Sequence, residues 1–131
     1  MHLAHDIHLA YCTNVHRGGN WEETFTSLEN DVLRVRQAVS PDEPYAIGLR
    51  LGADAANELS DVENLLKFRK WLEAKNCYVF TINGFPYGNF HGARVKEQVY
   101  LPDWTSPDRL EYTNLPSTSW SRFRRRAPKE A

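Results

Sequence analysis

CYVFTINGFPYGNFHGARVKEQVY, residues 77–100, passes from an apolar run into a dense cluster of polar and aromatic groups. Cys77 to Ile82 is β-branched and aromatic enough to predict a buried strand, and Asn83-Gly84 opens a loop far richer in chemistry than a plain turn requires. Polar groups gathered where a strand stops predict a ligand site at the C-terminal end of a parallel strand.

Moving outward from that strand, the preceding segment carries Ser60 and Glu63 in capping-box spacing, which predicts a helix. Val62, Leu65, Leu66, Arg69 and Leu72 mark its inner face, and Phe68 and Trp71 widen it. Asn76 suits the C-terminal cap. Before this helix, residues 54–59 form a short helical turn, and 45–51 form a second strand whose only charge is Arg50. Further upstream, Asn20 and Glu23 again have capping-box spacing. Trp21, Phe25, Leu28, Val32, Val35 and Val39 follow at alternating intervals of four and three, one stripe of an amphipathic helix that Ser40-Pro41 ends. The first strand spans residues 7–13 and runs into Asn14, Val15 and His16. Beyond the central stretch, Pro107 behind Ser106 predicts a third helix beginning over 108–113, interrupted at Pro116.

Strand, helix, strand, helix, strand is the pattern of parallel strands joined by crossovers, used by doubly wound sheets and by eight-fold barrels. The first strand has no glycine-rich phosphate loop, which favours the barrel. The fold class expected is α/β, a partial (β/α)₈ TIM barrel comprising the first three strand–helix units. A barrel takes about 250 residues, so the 131 residues here read as part of one.

The composition excludes several classes. A formal charge of -1 and 41% hydrophobic residues describe an ordinary soluble domain with no global electrostatic reason to bind nucleic acid or an anionic membrane. No run approaches the roughly 18 apolar residues of a membrane span. Residues 1–8 lack the apolar core of a signal peptide, so a cytoplasmic location is expected. Cys12 and Cys77 each lie in a strand-like run and read as reduced core thiols.

The runs His8 to His16, Gly48-Leu49-Arg50-Leu51, Thr81 to Gly92 and Val95 to Trp104 resemble the N-terminal part of the EboE family of metabolite-traffic proteins. The similarity covers residues 7 to about 113 as several ungapped motifs in order. The family is similar to xylose-isomerase-like barrels, among them sugar and sugar-phosphate isomerases and epimerases that mostly use a divalent metal. The resemblance therefore implies a small polar metabolite as ligand, and a divalent metal in the intact protein whose ligands come from later strands. No cofactor is expected within this chain, and His2, His5 and His8 read as a chance cluster or weak chelator. Residues 114–131 depart from the family pattern and read as a basic tail, disordered or from a shifted reading frame; a nucleic-acid or membrane-binding arm is the alternative. The third strand would be an open edge, from which self-association is expected.

The site residues follow from their positions. His16, just past the first strand, is the catalytic candidate for acid–base work; the bland alternative is a backbone hydrogen bond. Arg50 either faces a ligand phosphate or carboxylate or pairs with a neighbouring carboxylate. Asn83 orients a substrate hydroxyl or caps the loop as an Asx turn, and Asn14 is a weaker candidate. Tyr87, with Phe85 and Phe90, offers a face that stacks on a sugar ring or anchors the loop. His91, Lys96 and Glu97, with Arg94, suit an anionic ligand or proton transfer; solvated loop charges are the alternative. With the enzymatic reading stands a second, a non-catalytic metabolite carrier, and a third, an inactive partial barrel.

Overall fold

The computed structural model describes residues 1–88 and 98–123. Three strands, β1 (Ala10–Cys12), β2 (Tyr45–Arg50) and β3 (Cys77–Asn83), form one parallel sheet in the order β1-β2-β3. β2 is buried along its whole length, as expected of a near-continuous apolar run in the centre of a parallel sheet. Among the described residues β1 and β3 each have one strand neighbour, so the sheet they form is open on both sides. The register between β2 and β3 slips between Ile47 and Gly48: Ile47 lies opposite Val79 and Gly48 opposite Thr81, which leaves Phe80 as the extra residue of a bulge.

β1 is shorter than the segment 7–13 that its hydrophobicity predicts. Residues 1–9 fold back on themselves instead: the Met1 ammonium donates to the Leu9 carbonyl at 2.9 Å, Leu9 N–H donates back to Met1 O at 2.9 Å, and Leu3 N–H donates to Ile7 O at 2.7 Å. His5 and Asp6 make the reversal with positive φ. Ile7 and Leu9 are thereby left exposed. At the other end, Thr13–Val15 tightens into a 3₁₀ turn.

The first helical stretch comprises α1 (Trp21–Ser27), a π-helical segment (Leu28–Val32) and α2 (Leu33–Val39). Asn20 Oδ1 accepts from Glu23 N–H at 2.8 Å, and the Glu23 carboxylate accepts from Gly19 N–H at 2.7 Å, a reciprocal cap displaced by one residue from the usual box. Trp21, Leu28 and Val32 are buried, as the stripe predicts, but Val39 is exposed. The π segment is the reason. Its wider turn adds a residue and rotates everything after it, so that Leu33 packs against the core and Arg36 turns inward, donating to Pro41 O at 2.9 Å.

After β2 come α3 (Ala53–Ser60) and α4 (Val62–Ala74). The cap of α4 is Asp61 and not Ser60: its carboxylate accepts from Glu63 and Asn64 N–H at 2.9 and 3.3 Å, while Ser60 Oγ donates to Asn57 O and closes α3. This phase buries Leu65, Phe68, Trp71 and Leu72 and leaves Val62, Leu66 and Arg69 outside. Asp61→Ala is expected to cost about 1 kcal/mol, against less than about 0.5 kcal/mol for Ser60→Ala, in parallel urea titrations. Lys75 ends the helix and Asn76 takes the left-handed conformation at φ 49°, which Asn tolerates.

The core lies between the helices and one face of the sheet, where Tyr45, Ile47, Leu49 and Val79 meet Leu28, Val32, Leu59 and Phe68. Trp21, Phe25, Phe68 and Trp71 form an aromatic cluster with ring centroids 5.0–6.4 Å apart. Cys77 is in this core, but Cys12 is exposed, because β1 covers so little of its own face.

α5 (Pro107–Phe123) starts where expected, with Ser106 Oγ accepting from Asp108 N–H at 3.3 Å. It continues through Pro116, where the sequence predicts a break. Pro116 donates no N–H, and Ser117 and Thr118 Oγ donate to the carbonyls of Thr113 and Asn114, both at 3.0 Å, holding the surrounding turns. The part of the expected tail before residue 124 is therefore helical. No described helix is long and apolar enough to cross a membrane.

Candidate functional site

The C-terminal ends of the three strands bring together the turn after β1, Arg50 at the end of β2 and Asn83 at the end of β3. Thr13 is buried beneath them, its Oγ1 accepting from Arg50 N–H at 2.8 Å. The Arg50 side chain is 7% exposed, and its guanidinium donates from Nη1 to Gly18 O at 3.3 Å and from Nη2 to Gly88 O at 3.1 Å. One cation thus ties the loop after β1 to the loop after β3. Its Nε is buried without a partner, and among the described residues no carboxylate pairs with it. Burial lowers its pKa, with the Tyr112 phenol acting the other way, but a guanidinium remains charged. The carboxylate pairing that the sequence leaves open is replaced by backbone carbonyls. The cavity that Arg50 shares with Thr13, His16, Gly18, Thr24 and Ser27 measures about 10 Å³, room for one water and not for a metabolite.

His16 is held from both sides. Nε2 lies 2.8 Å from the Tyr11 hydroxyl, and Nδ1 lies 3.5 Å from the Asp31 carboxylate on the π-helical segment. The Tyr11 ring stacks on the imidazole at 5.7 Å. Tyr11 has its pKa raised by burial first, then by the Asp31 and Cys12 charges, so the phenol stays a neutral donor. Phenol, imidazole and carboxylate thus lie in a row beside the turn after β1.

Asn83 and Asn14 are brought side by side, with Asn83 Nδ2 donating to Asn14 Oδ1 at 3.3 Å. Asn83 O also accepts from Leu51 N–H at 3.0 Å, which fixes the strand end. Among the described residues, Asn83 Oδ1 and Asn14 Nδ2 have no hydrogen-bond partner, so the pair presents one acceptor and one donor. The exposed Cys12 and Thr81 belong to the same open side of the sheet ends.

Tyr87 is packed inward: its ring stands edge-on to Tyr112 at 5.1 Å, and its carbonyl accepts from Ala53 N–H at 2.8 Å. It anchors the loop on α3 and α5. His91, Lys96 and Glu97, together with Phe90 and Arg94, lie outside the described residues.

Other groups gain partners that the sequence does not announce, His8 of the expected chance cluster among them. His8 Nδ1 sits 2.6 Å from the Tyr78 hydroxyl, and its ring stacks on Phe80 at 4.8 Å, with His2 at 4.8 Å on another side. Nothing periodic in residues 1–8 announces this, because the fold-back of the N-terminus creates it. Tyr112 and Arg109, three apart on one face of α5, are buried under the loop after β3, at positions to which the sequence assigns no role. Among the described residues no three His, Cys, Asp or Glu side chains gather as a metal site.

The described residues thus define a mixed α/β unit built on a three-stranded open parallel sheet. No protein-family model matches the sequence, and no match was found among curated proteins or solved structures.

Proposed function

We propose that this chain forms one sector of a metabolite-binding site at the C-terminal end of a parallel sheet, in an EboE-like protein built on the xylose-isomerase-like barrel. The observation that carries this reading is the Asn14–Asn83 amide pair, a free donor and a free acceptor set on the ends of two different elements. Such a pair suits adjacent hydroxyls of a sugar or sugar phosphate, each amide being able to donate to one and accept from the other. The strand order, with its crossovers 1-2-3 in sequence, supports a barrel sector, since consecutive strands are neighbours in a barrel. The ordered motifs that resemble the EboE family support the metabolite.

Within this reading Arg50 positions the two loops, Asn14 and Asn83 touch the metabolite, and His16, held by Tyr11 and Asp31, is the acid–base candidate. His91, Lys96 and Glu97 belong to the loop that would complete the rim. A divalent metal would be held by further strands of the intact protein. The open edges of the sheet favour self-association of this chain.

Titration of the labelled protein with D-xylose and with D-glucose 6-phosphate, read on the side-chain amide resonances of Asn14 and Asn83, tests the site. A saturable shift is expected, with affinity about tenfold lower in Asn83→Ala, roughly 1.4 kcal/mol for one lost polar contact. Equal binding by the variant would remove Asn83 from the site. In the intact protein, a stoichiometric divalent ion would favour an isomerase; tight metabolite binding without one would favour a carrier.

A further inference from the structure

A groove of about 770 Å³ opens between β3 and α5. The barrel reading gives the stretch along Phe80, Thr81 and Ile82 to the strand that follows in the intact protein. Arg109 also lines the groove, but in the layer of loops beyond the strand ends. Tyr112, one turn further along α5, already reaches past those ends, since its hydroxyl donates to Leu51 O at 2.5 Å and lies 3.4 Å from Pro86 O. Arg109 is nearer the start of the helix, beside Phe85 and Trp104 of the connection from β3. A following strand would leave it at the C-terminal face, where barrels bind their ligands.

Arg109 is 8% exposed, and its Nε is buried without a hydrogen-bond partner. Among the described residues no carboxylate pairs with it. Its guanidinium carbon lies 6.0, 5.7 and 5.8 Å from the ring centroids of Phe85, Trp104 and Tyr112. The rings offset part of the cost of burying this cation, but they cannot accept the in-plane N–H bonds of a guanidinium. A cation with rings beside it and no acceptor for its N–H fork is complementary to an oxyanion approaching in the guanidinium plane.

We propose that the metabolite is a phosphate ester and that Arg109 receives its phosphate. This rests on the metabolite-site reading above and narrows its ligand from sugars in general to phosphorylated ones. A phosphate carries more than one negative charge and three acceptor oxygens at neutral pH, so it neutralises and satisfies a buried guanidinium more completely than a carboxylate does.

The test titrates the labelled protein with D-glucose 6-phosphate, D-glucose, D-glucuronate and inorganic phosphate, read on the Arg109 Nε–H and Trp104 indole resonances. Glucose 6-phosphate is expected to move both saturably and to bind about tenfold or more tighter than glucose, the worth of one charge-assisted contact. Inorganic phosphate alone should move the same two resonances, and glucuronate should bind with an affinity between those of the two sugars. Arg109→Gln should bring glucose 6-phosphate and glucose to equal affinity, while Arg109→Lys, which keeps the charge without the fork, retains part of the preference. Equal binding of the two by the unaltered protein, a comparison that needs no variant to fold, would overturn the proposal. So would glucuronate binding as tightly as glucose 6-phosphate, or a phosphate preference that persists in folded Arg109→Gln. The Asn14 and Asn83 amides, followed in the same titrations, separate the phosphate contact from the site it belongs to. Shifts there with both sugars and none at Arg109 would overturn the phosphate contact alone, whereas shifts at Arg109 with none at the two asparagines would uphold it and remove the amide pair.

Discussion

Phe68→Ala is expected to lower the unfolding free energy by about 3–5 kcal/mol, the range for removing a buried phenylalanine. The residue is fully buried, edge-on to Trp21 at 5.0 Å and stacked on Trp71 at 6.0 Å, and Phe25 lies 6.4 Å away. It is where α1 and α4 meet over the sheet, and rigid rings on three sides resist collapse into the space left behind. A domain whose total stability lies in the usual range of about 5–15 kcal/mol would be left marginal. Leu66→Ala, two residues away on the exposed side of α4, should change stability by less than about 0.5 kcal/mol. Urea unfolding followed by circular dichroism compares the two; a loss below about 1 kcal/mol for Phe68→Ala would mean that the cluster is looser than its geometry.

The second large effect is alkaline. The Tyr112 hydroxyl donates to Leu51 O at 2.5 Å in a buried position, and burial pushes its pKa from 10.0 up to about 12, Arg50 and Arg109 pulling the other way. The folded protein therefore holds this proton longer than the unfolded chain. The stabilisation is complete below pH 10 and is lost as pH rises through about 12. Two units correspond to roughly 2–3 kcal/mol. Tyr11, Tyr45 and Tyr78 are raised by burial as well and add to the decline in the same direction. Tyr112→Phe should cost about 1–2 kcal/mol at neutral pH, because Leu51 O loses its buried donor. The variant should also show a shallower loss between pH 10 and 12. An unchanged alkaline slope would assign the effect to the other tyrosines.

Both experiments concern contacts that the sequence announces unequally. Phe68 stands in a visible helical stripe, although as a flank and not the centre. Packing decides that difference: Phe68 lies against Trp21, Phe25 and Trp71, whereas Val62 faces solvent. Capping-box spacing fits Ser60, but Ser60 Oγ donates to Asn57 O and the Asp61 carboxylate caps α4 in its place. The stripe from Trp21 to Val39 is legible for its first half and misleading afterwards, since nothing in LENDV announces a π turn.

Of the candidate site, the gathering of polar groups at strand ends and the positions of Asn83 and Arg50 there were legible. The partners were not. Arg50 meets carbonyls of Gly18 and Gly88, whose availability depends on the path of two loops. His16 meets Asp31 across the first helical stretch, and Tyr87 turns away from the sheet ends toward Tyr112.

The amino-acid sequence by itself determined the alternation of strands and helices, the parallel sheet and the ends at which polar groups collect. Those follow from local periodicity, caps and turn residues, each readable over a dozen positions. The tertiary structure alone decided which cations lie buried without counter-charges among the described residues, that Asn14 meets Asn83, and that a groove opens beside β3. These depend on pairs as far apart as residues 14 and 83 or 51 and 112, and no local pattern encodes the distance between groups that the chain brings together only on closing.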